Sequence, residues 1–500
     1  MLLRLTCLLL WSCLAMPGHA QANEQTERER LNAAVQPIPY QGELPTMAAV
    51  NLRDARLERL LDGLTYPWGM AFIDDDQLLI TEIGGRLLRY ELAARKLTPI
   101  GKVPEVVTAH DQTGLLDVAV HPGFASNRWV YFSYVAADPE SGRYYLTAVD
   151  RARLVDDELV DRERLLTAEP YSWSPSNFGG ALAFGPDNTL FISIGDRSEA
   201  DFAQDGGRLE GKILRLKDDG SVPEDNPFVG DDEIDDRIYA LGVRNPQGLF
   251  HDAVTGRLFE AEHGPMGGDE INLIRAGRNY GWPELTYGLN YTGEKIGHGT
   301  HRTGMEQPLF YYLPSEAISP LVVYRGSMFP EWEGDLLAGA LKGRHVSHLD
   351  LDGTVVRSEY PLLREIDGRI RDIQVASDGS VFILSQSGEL YRLLREAKTP
   401  GATGTEPAAF DASLLYQFVC AGCHDSGAYR APRPSVPAEW APIQAKSRDL
   451  VYRQVIEGVG AMPKRGLCNI CSDEQLRLTT DFMLGPQSKS EETPQETPQQ

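Results

Sequence analysis

Near the C-terminal end of the chain, Cys420-Ala421-Gly422-Cys423-His424 sets two thiols three positions apart, with an imidazole directly after the second. This spacing suits thioether bonds from both cysteines to the two vinyl groups of a haem, with His424 as the proximal ligand of the iron. Downstream, Ala461-Met462-Pro463 offers a thioether as the second axial ligand, which raises the reduction potential. An isolated Met is more often core filler, but here the Met-Pro step follows a helical stretch and a Gly-rich turn. The competing chemistry is zinc, because Cys420, Cys423, Cys468 and Cys471 form paired CxxC motifs that could supply four thiolates. The adjoining His424, the Met-Pro step and the N-terminal export signal described below favour haem c.

From Phe410 to about Leu484 the segment resembles the short bacterial monohaem cytochromes c. The resemblance implies that Cys468 and Cys471 form the extra disulfide of one of their subfamilies, stapling the turn before the last helix.

A second set of chemically capable residues is scattered through the preceding part of the chain. Gln112-Thr113-Gly114-Leu115-Leu116-Asp117 is followed by His121-Pro122, and later by Gly242-Val243-Arg244-Asn245-Pro246-Gln247-Gly248. Then come Glu262-His263-Gly264-Pro265, Gly268-Asp269-Glu270-Ile271-Asn272 and Asn279-Tyr280-Gly281-Trp282-Pro283. Leu341-Lys342 and Arg369-Ile370-Arg371-Asp372 complete the series. In this order, from about Leu64 to Leu394, the strings resemble the soluble quinoprotein aldose dehydrogenases of the glucose/sorbosone dehydrogenase family. That family binds pyrroloquinoline quinone (PQQ) and calcium on a six-bladed β-propeller.

The resemblance implies a role for each string. PQQ carries three carboxylates and an ortho-quinone, so it needs fixed cations and donors. Arg244, Lys342, Arg369 and Arg371 stand where the family supplies the cations, and Gln112 and Asn245 where it supplies donors. Gly264 and Pro265 match the carbonyls that hold a calcium bridging protein and cofactor, an ion that takes oxygen ligands and acts as a Lewis acid. Glu270 and the Tyr280 carbonyl match a second, structural calcium site. Asp196 matches an acidic residue of the pocket.

One position departs from the pattern. The family's catalytic base is a His two residues before a Gly-Gly or similar pair, whereas here Ser176-Asn177-Phe178-Gly179-Gly180 puts Asn177 in that place. An amide hydrogen-bonds a hydroxyl but does not take its proton at neutral pH. Ala181 likewise replaces a polar or basic residue common beside the pair, and His263 accompanies the calcium string even in relatives that keep the catalytic His.

The elements that must position these residues are strands. Many short apolar runs are separated by Gly, Asp, Asn and Pro. Asp74-Asp75-Asp76 introduces Gln77-Leu78-Leu79-Ile80, Pro186-Asp187-Asn188 precedes Leu190 to Ile194, and Ser377-Asp378-Gly379 precedes Val381 to Leu384. Such a rhythm is that of antiparallel blades around a channel, so the fold expected is an all-β propeller followed by a small all-α cytochrome domain. The expected domains are a signal peptide at 1–20, an extension at 21–51, the propeller at 52–394, a linker at 395–409, the cytochrome at 410–484 and a disordered tail at 485–500. Ser472-Asp473-Glu474-Gln475 reads as a capping box that opens the last helix.

Arg4, the apolar run Leu5 to Met16 and Gly18-His19-Ala20 read as a secretory signal cleaved after Ala20, which predicts a periplasmic protein. No later segment reads as a membrane span. Acidic residues outnumber basic ones by 72 to 48, which argues against nucleic acid or an anionic membrane as partner. Gly206 to Lys212 imitates a phosphate loop but has Ile213 where Ser or Thr is required. Asp350-Leu351-Asp352-Gly353 reads as a hairpin turn rather than a calcium loop, and His298 and His301 lie in a Gly-rich loop. The resulting expectation is a periplasmic PQQ dehydrogenase that oxidises a sugar or alcohol hydroxyl and passes electrons to its own haem, then to an external redox acceptor. The alternative is a binding module that keeps the cofactor architecture without catalysis, kept open by Asn177.

Overall fold

The computed structural model describes Leu52 and residues 54–395, 412–416, 420–425, 427, 430–460, 462–467 and 471–485. The expected signal peptide, N-terminal extension and tail, most of the linker, and Cys468 lie outside the described residues.

Six sheets follow one another along the chain. The first contains Pro67–Asp74, Gln77–Glu82, Arg86–Glu91 and Lys96–Pro99, and the second Leu115–Val120, Trp129–Ala137, Tyr145–Val155 and Glu158–Thr167. The third contains Gly179–Phe184, Leu190–Ile194, Lys212–Leu216 and Ile238–Leu241, with Arg278–Asn279 added in parallel. Pro246–Asp252, Arg257–Glu262, Asp269–Ile274 and Phe310–Tyr312 form the fourth, and Ile318–Val323, Leu336–Ala340, Val346–Asp352 and Val355–Leu362 the fifth. In the sixth, Ala55–Leu61 pairs with Leu390–Arg395 beside Val381–Ser385 and Ile370–Val375, so the two ends of the strand region share a sheet. The fold is a six-bladed β-propeller with helices at its C-terminal end.

Local chemistry explains the turns. The Asp74 carboxylate accepts the Asp76 N–H at 2.9 Å, and the Asp378 carboxylate accepts the Ser380 N–H at 2.9 Å. Both are side-chain turns that reverse the strand, at Asp74-Asp75-Asp76 and at Ser377-Asp378-Gly379. Asp352 pairs with Val355 across Gly353, so the Asp350–Gly353 string is a hairpin as expected.

The described residues form two compact units, one of Thr65–Leu321 with Ala340–Gly343, the other of Val322–Gly339 with the residues before 65 and after 343. Within the first unit, consecutive sheets meet through apolar layers. Leu79 and Leu87 of the first sheet pack with Leu115, Val118 and Phe132 of the second, and Tyr131 and Val149 of the second pack with Ile192 and Leu214 of the third. Burying each such side chain contributes about 1.5–3 kcal/mol, which makes these seams the main cohesion of the unit.

A polar series runs beside them. Thr81 accepts Gly69 N–H from its own sheet and donates to Leu116 O of the next at 2.6 Å. Ser133 accepts Asp117 N–H and donates to Gly180 O, while Ser193 accepts Ala181 N–H and donates to Pro246 O. Each hydroxyl sits opposite a break in register on the sheet's first strand, so a bulge and a small hydroxyl together fasten one sheet to the next.

In the C-terminal part, the helices Pro437–Gln444, Arg448–Glu457 and Asp473–Leu484 bring Trp440, Val451 and Leu484 into a small core. Ser472 Oγ accepts the Gln475 N–H while Gln475 Oε1 accepts the Ser472 N–H, the reciprocal cap expected from the sequence.

Candidate functional site

Asn177 stands at the end of the loop that leads into the third sheet, at a left-handed φ of 55° that Asn tolerates better than most residues. The loop is paired with the one that follows Ile194. A Cβ on Gly195 would fall 2.2 Å from the Asn177 carbonyl oxygen, so only glycine lets the two loops close. The Arg197 N–H donates to Asn177 O at 3.2 Å, Ser174 Oγ to Ser198 Oγ at 3.2 Å, and Trp173 Nε1 to Glu199 Oε1 at 3.1 Å. The Arg197 guanidinium, almost wholly buried, donates to Ser176 O at 3.0 Å and to Ser174 O, and lies 3.4 Å from the centre of the Phe178 ring. Burial pushes its pKa down to about 9, against the pull of Glu210 and Asp196. Arg197 thus fixes the backbone on both sides of Pro175 and so the position of Asn177.

From Asn177 a hydrogen-bonded network spreads through the first unit. Its Nδ2 donates to Asp196 Oδ1 at 2.9 Å, and Asp196 also accepts Ser198 N–H and Trp282 Nε1–H, both at 2.8 Å. Asp196 is 1% exposed, so this carboxylate is a buried anchor with both oxygens engaged. Gln112 Oε1 accepts the Asn177 N–H at 3.0 Å. The Asp196 N–H donates to Arg244 O, and Arg244 Nη1 reaches His263 O at 2.7 Å and Gly264 O at 3.2 Å. Asp269 accepts the Gly264 N–H together with Ser315 Oγ–H and the Glu316 and Ala317 N–H groups. Lys342 Nζ donates to Ser315 O at 3.0 Å. Asn245 Oδ1 accepts the Gly179 N–H at 3.3 Å. Gln112, Asn177, Asp196, Arg244, Asn245, Gly264 and Lys342 therefore belong to one connected structure, although they are dispersed along the sequence.

Next to Arg244 lies a cavity lined by Glu262, Gly264, Glu270, Tyr280 and Trp282, with Pro265 adjoining Gly264. Around it the carboxyls of Glu260, Glu262 and Glu270 are all buried. Burial pushes Glu262 up to about 7, while burial and the Glu262 charge push Glu260 and Glu270 well above the usual carboxylate range. Asn272 Nδ2 donates to Glu260 at 3.0 Å and to Glu270 at 3.3 Å. Glu260 Oε1 and Asn272 Oδ1 are buried without a hydrogen-bond partner among the described residues. These oxygens suit a hard cation. No cluster of three side-chain ligands is present among the described residues, so an ion here would draw on backbone carbonyls such as those of Gly264, Pro265 and Tyr280.

Arg369 and Arg371 belong to the second unit. Arg369 is exposed, while Arg371 is buried and donates through Nε to Gln386 Oε1 at 3.2 Å. His298 is exposed beside Glu284, and Lys212, the end of the phosphate-loop lookalike, is buried with its amine on Phe202 O and Glu210 O.

At the C-terminal end, Cys420 and Cys423 are thiols, and a single helical turn, Ala421–His424, carries His424. Burial, with the Cys423 charge second, pushes the Cys420 thiol up to about 12. His424 Nδ1 lies 2.7 Å from Pro432 O. An N–H at that nitrogen leaves Nε2 as the lone-pair donor, the usual way a metal-bound His is oriented. Met462, half-buried, is held by two backbone bonds to Val459. Cys471 is buried and disulfide-bonded, and its partner lies outside the described residues.

Sequence reasoning did not find Arg197, Trp282, Asp269 or Ser315 as parts of the site. Trp282 and Asp269 sit inside quoted strings, yet their role is a contact across the fold. Arg197 follows Asp196 directly, and its type alone gave no sign that it would be buried.

Residues 64–392 match the Glucose / Sorbosone dehydrogenase family, and residues 408–483 match Cytochrome C oxidase, cbb3-type, subunit III. The aldose sugar dehydrogenase YliI of Escherichia coli is 39% identical over 346 residues, covering 67% of this chain and 92% of the relative. The solved apo form of the soluble aldose sugar dehydrogenase from Escherichia coli superimposes with a TM-score of 0.65 at 38% identity, over 68% of this chain and 100% of that one. The PQQ-bound aldose sugar dehydrogenase of Streptomyces coelicolor gives a TM-score of 0.57 at 25% identity, over 68% of this chain and 98% of that one. Cytochrome c5 of Ectopseudomonas mendocina is 34% identical over 68 residues, covering 13% of this chain and 78% of the relative.

Proposed function

The chain belongs to the glucose/sorbosone dehydrogenase family, and on that premise we propose that it is a periplasmic, PQQ- and calcium-dependent dehydrogenase that oxidises a sugar hydroxyl and delivers the electrons to a haem c on its own C-terminal segment. The observation that carries this reading is the connected network from Gln112 through Asn177, Asp196 and Arg244 to Lys342. It gathers donors, cations and carbonyls of the types a tricarboxylate quinone and a calcium ion require.

PQQ, when bound, supplies an ortho-quinone that accepts hydride. By the family resemblance, Arg244, Lys342, Arg369 and Arg371 would supply cations for its carboxylates, with Gln112 and Asn245 as neutral donors. The carbonyls of Gly264 and Pro265 would hold one calcium, which would supply Lewis-acid chemistry, and Glu270 with the Tyr280 carbonyl would hold a second. Asn177 has its Nδ2 committed to Asp196, which turns its Oδ1 into an acceptor for a substrate hydroxyl. It orients that hydroxyl and does not take its proton. Cys420 and Cys423 would hold the haem covalently and His424 and Met462 would hold its iron, and the group would supply one-electron chemistry toward an external redox acceptor.

The second reading, a propeller that binds without turnover, is favoured by Asn177 itself. One experiment separates the two. The protein is saturated with PQQ and calcium, a panel of aldoses and alcohols is added, and haem reduction is followed by its absorption. Sugar-dependent reduction is expected. PQQ binding with no reduction by any member of the panel would move the assignment to the binding reading.

A further inference from the structure

Ser172, in the loop that leads to Asn177, exchanges two backbone hydrogen bonds with Tyr145. The Tyr145 N–H donates to Ser172 O at 2.7 Å, and the Ser172 N–H to Tyr145 O at 2.9 Å. Both side chains of this bridged pair are buried. Side chains alternate along extended backbone, so the next residue on each segment, Tyr144 and Trp173, lies on the opposite side, where the two are neighbours. Tyr144 is 47% exposed and Trp173 65%, which leaves two large rings together on the surface. One exposed apolar residue is ordinary, whereas adjoining rings are apolar area that packing within the fold has not used. Trp173 is nonetheless held. Its Nε1–H donates to Glu199 Oε1 at 3.1 Å, and the Glu199 N–H donates to Asp196 O at 3.0 Å, in the turn whose carboxylate holds Asn177.

We infer that Tyr144 and Trp173 are a stacking surface for the outer rings of an oligosaccharide whose reacting end lies at Asn177. This rests on the sugar dehydrogenase reading. An aromatic face is electron-rich and attracts the weakly positive C–H bonds on the flat side of a pyranose. Polar groups for the sugar's hydroxyls border the rings: the Glu199 carboxylate, and Ser174 Oγ, which donates to Ser198 Oγ at 3.2 Å. The setting disfavours anions, because Asp138 and Glu140 on the Tyr144 side and Glu199 on the Trp173 side outnumber Arg143. A protein partner would need a broader apolar face than two rings bordered by charges. Position agrees with this. Trp173 precedes Asn177 by four residues, a reach of at most about 14 Å, and Arg197 fixes the backbone between them through Ser174 O and Ser176 O. That reach suits a chain of a few sugar rings.

The test measures binding of maltotriose and of glucose to the full-length chain without PQQ, by calorimetry, so that no turnover is needed. The unmodified chain should bind maltotriose more tightly than glucose. Tyr144→Ala and Trp173→Ala should each weaken maltotriose about tenfold and glucose far less, so the ratio of the two affinities falls. Trp173→Phe keeps a ring and should retain most of the affinity. An unchanged ratio in both alanine variants overturns the inference, as does a chain that binds maltotriose no better than glucose. Where Trp173→Ala does not fold, Tyr144→Ala, on the other segment, decides. With PQQ and calcium present, the KM for maltotriose should rise in Tyr144→Ala while kcat stays. Slower haem reduction at unchanged sugar affinity would assign the rings to a protein contact and overturn the inference. The expected binding pattern in a chain that no sugar reduces would fail the dehydrogenase reading and leave the saccharide surface standing.

Discussion

Around Asn177, a buried carboxylate is met by three donors from three loops, whereas around His424 an indole N–H is buried with nothing among the described residues to receive it. The first site is braced by the protein against itself. Asp196, Asp269 and Arg197 spend their hydrogen bonds on backbone and side chains that carry the candidate ligands, so the pocket's shape does not wait for a cofactor. The second is a small helical core, Trp440 with Val451 and Leu484 and Leu415 with Cys471 and Leu476. A core of this size gives little cohesion without a prosthetic group. The difference teaches that the two cofactors stand in different relations to folding.

The sharpest way to break that comparison is to remove haem attachment. Cys420→Ala with Cys423→Ala is expected to abolish covalent haem entirely, as read by mass and by absorption after acid–acetone extraction. Helical signal in circular dichroism should fall while the sheet signal and PQQ binding persist. Equal loss of both signals would show that the propeller depends on haem as much as the helices do.

The next largest effect is expected at Asn177. His tolerates a left-handed φ, and at this position an imidazole N–H would meet Asp196 in place of the Asn amide. Asn177→His should raise turnover of aldoses by about a hundredfold to ten-thousandfold, the usual worth of a placed general base, with little change in PQQ affinity. Faster turnover by the unmodified protein than by the variant would mean that another group is the base.

Legibility follows the same division. The haem motif lies within five consecutive positions, so chain connectivity alone guarantees its proximity, and residue types suffice to read it. The network of the propeller is long-range. Asp196 and Trp282 are 86 positions apart, and nothing short of the closed fold, or a resemblance to a family, brings them together. Turns were legible because Asp and Gly mark them through local chemistry, as at Asp74 and Gly379. Thr81, Ser133 and Ser193 were not, because a lone hydroxyl in a strand looks the same whether it faces water or fastens two sheets. Arg197 was missed for a related reason: sequence statistics place arginine outside, and only its carbonyl partners and the Phe178 ring hold it in.

That residue gives a third prediction. Arg197→Met keeps bulk but withdraws the donors from Ser174 O and Ser176 O. Stability should fall by about 3 kcal/mol, the upper range for a hydrogen bond to a charged group, as read by denaturant unfolding. Turnover should fall as well, since the loop carrying Asn177 loosens, and Arg197→Lys should recover part of both. A Met variant as stable and as active as the parent would show that the loop is braced elsewhere.

The smallest effect concerns Lys212, which distinguishes a network built from buried charge from one built from buried neutral groups. Its side chain is fully buried, with Nζ on Phe202 O at 2.7 Å and Glu210 O at 2.8 Å. A neutral amine has two N–H bonds for these two acceptors, whereas the ammonium has a third that meets no acceptor among the described residues. Burial pushes the pKa from 10.5 down to about 7, against the pull of Glu210 and Asp205. Between those two values the unfolded chain holds a proton that the folded chain has released, so this lysine makes stability rise with pH across that window. The slope reaches at most about 1.4 kcal/mol per pH unit, and it vanishes below the window, where both states are protonated. Lys212→Met cannot titrate. It should be less stable overall, because two carbonyls lose their donor, but its stability should rise less steeply over this range than the parent's. Comparing slopes rather than levels removes the contribution of other buried groups, such as Glu262 and Arg197, which titrate in both proteins. Parallel curves for parent and variant would mean that Lys212 stays charged in the folded state, and that the acidic groups around it, rather than its two carbonyls, set its protonation.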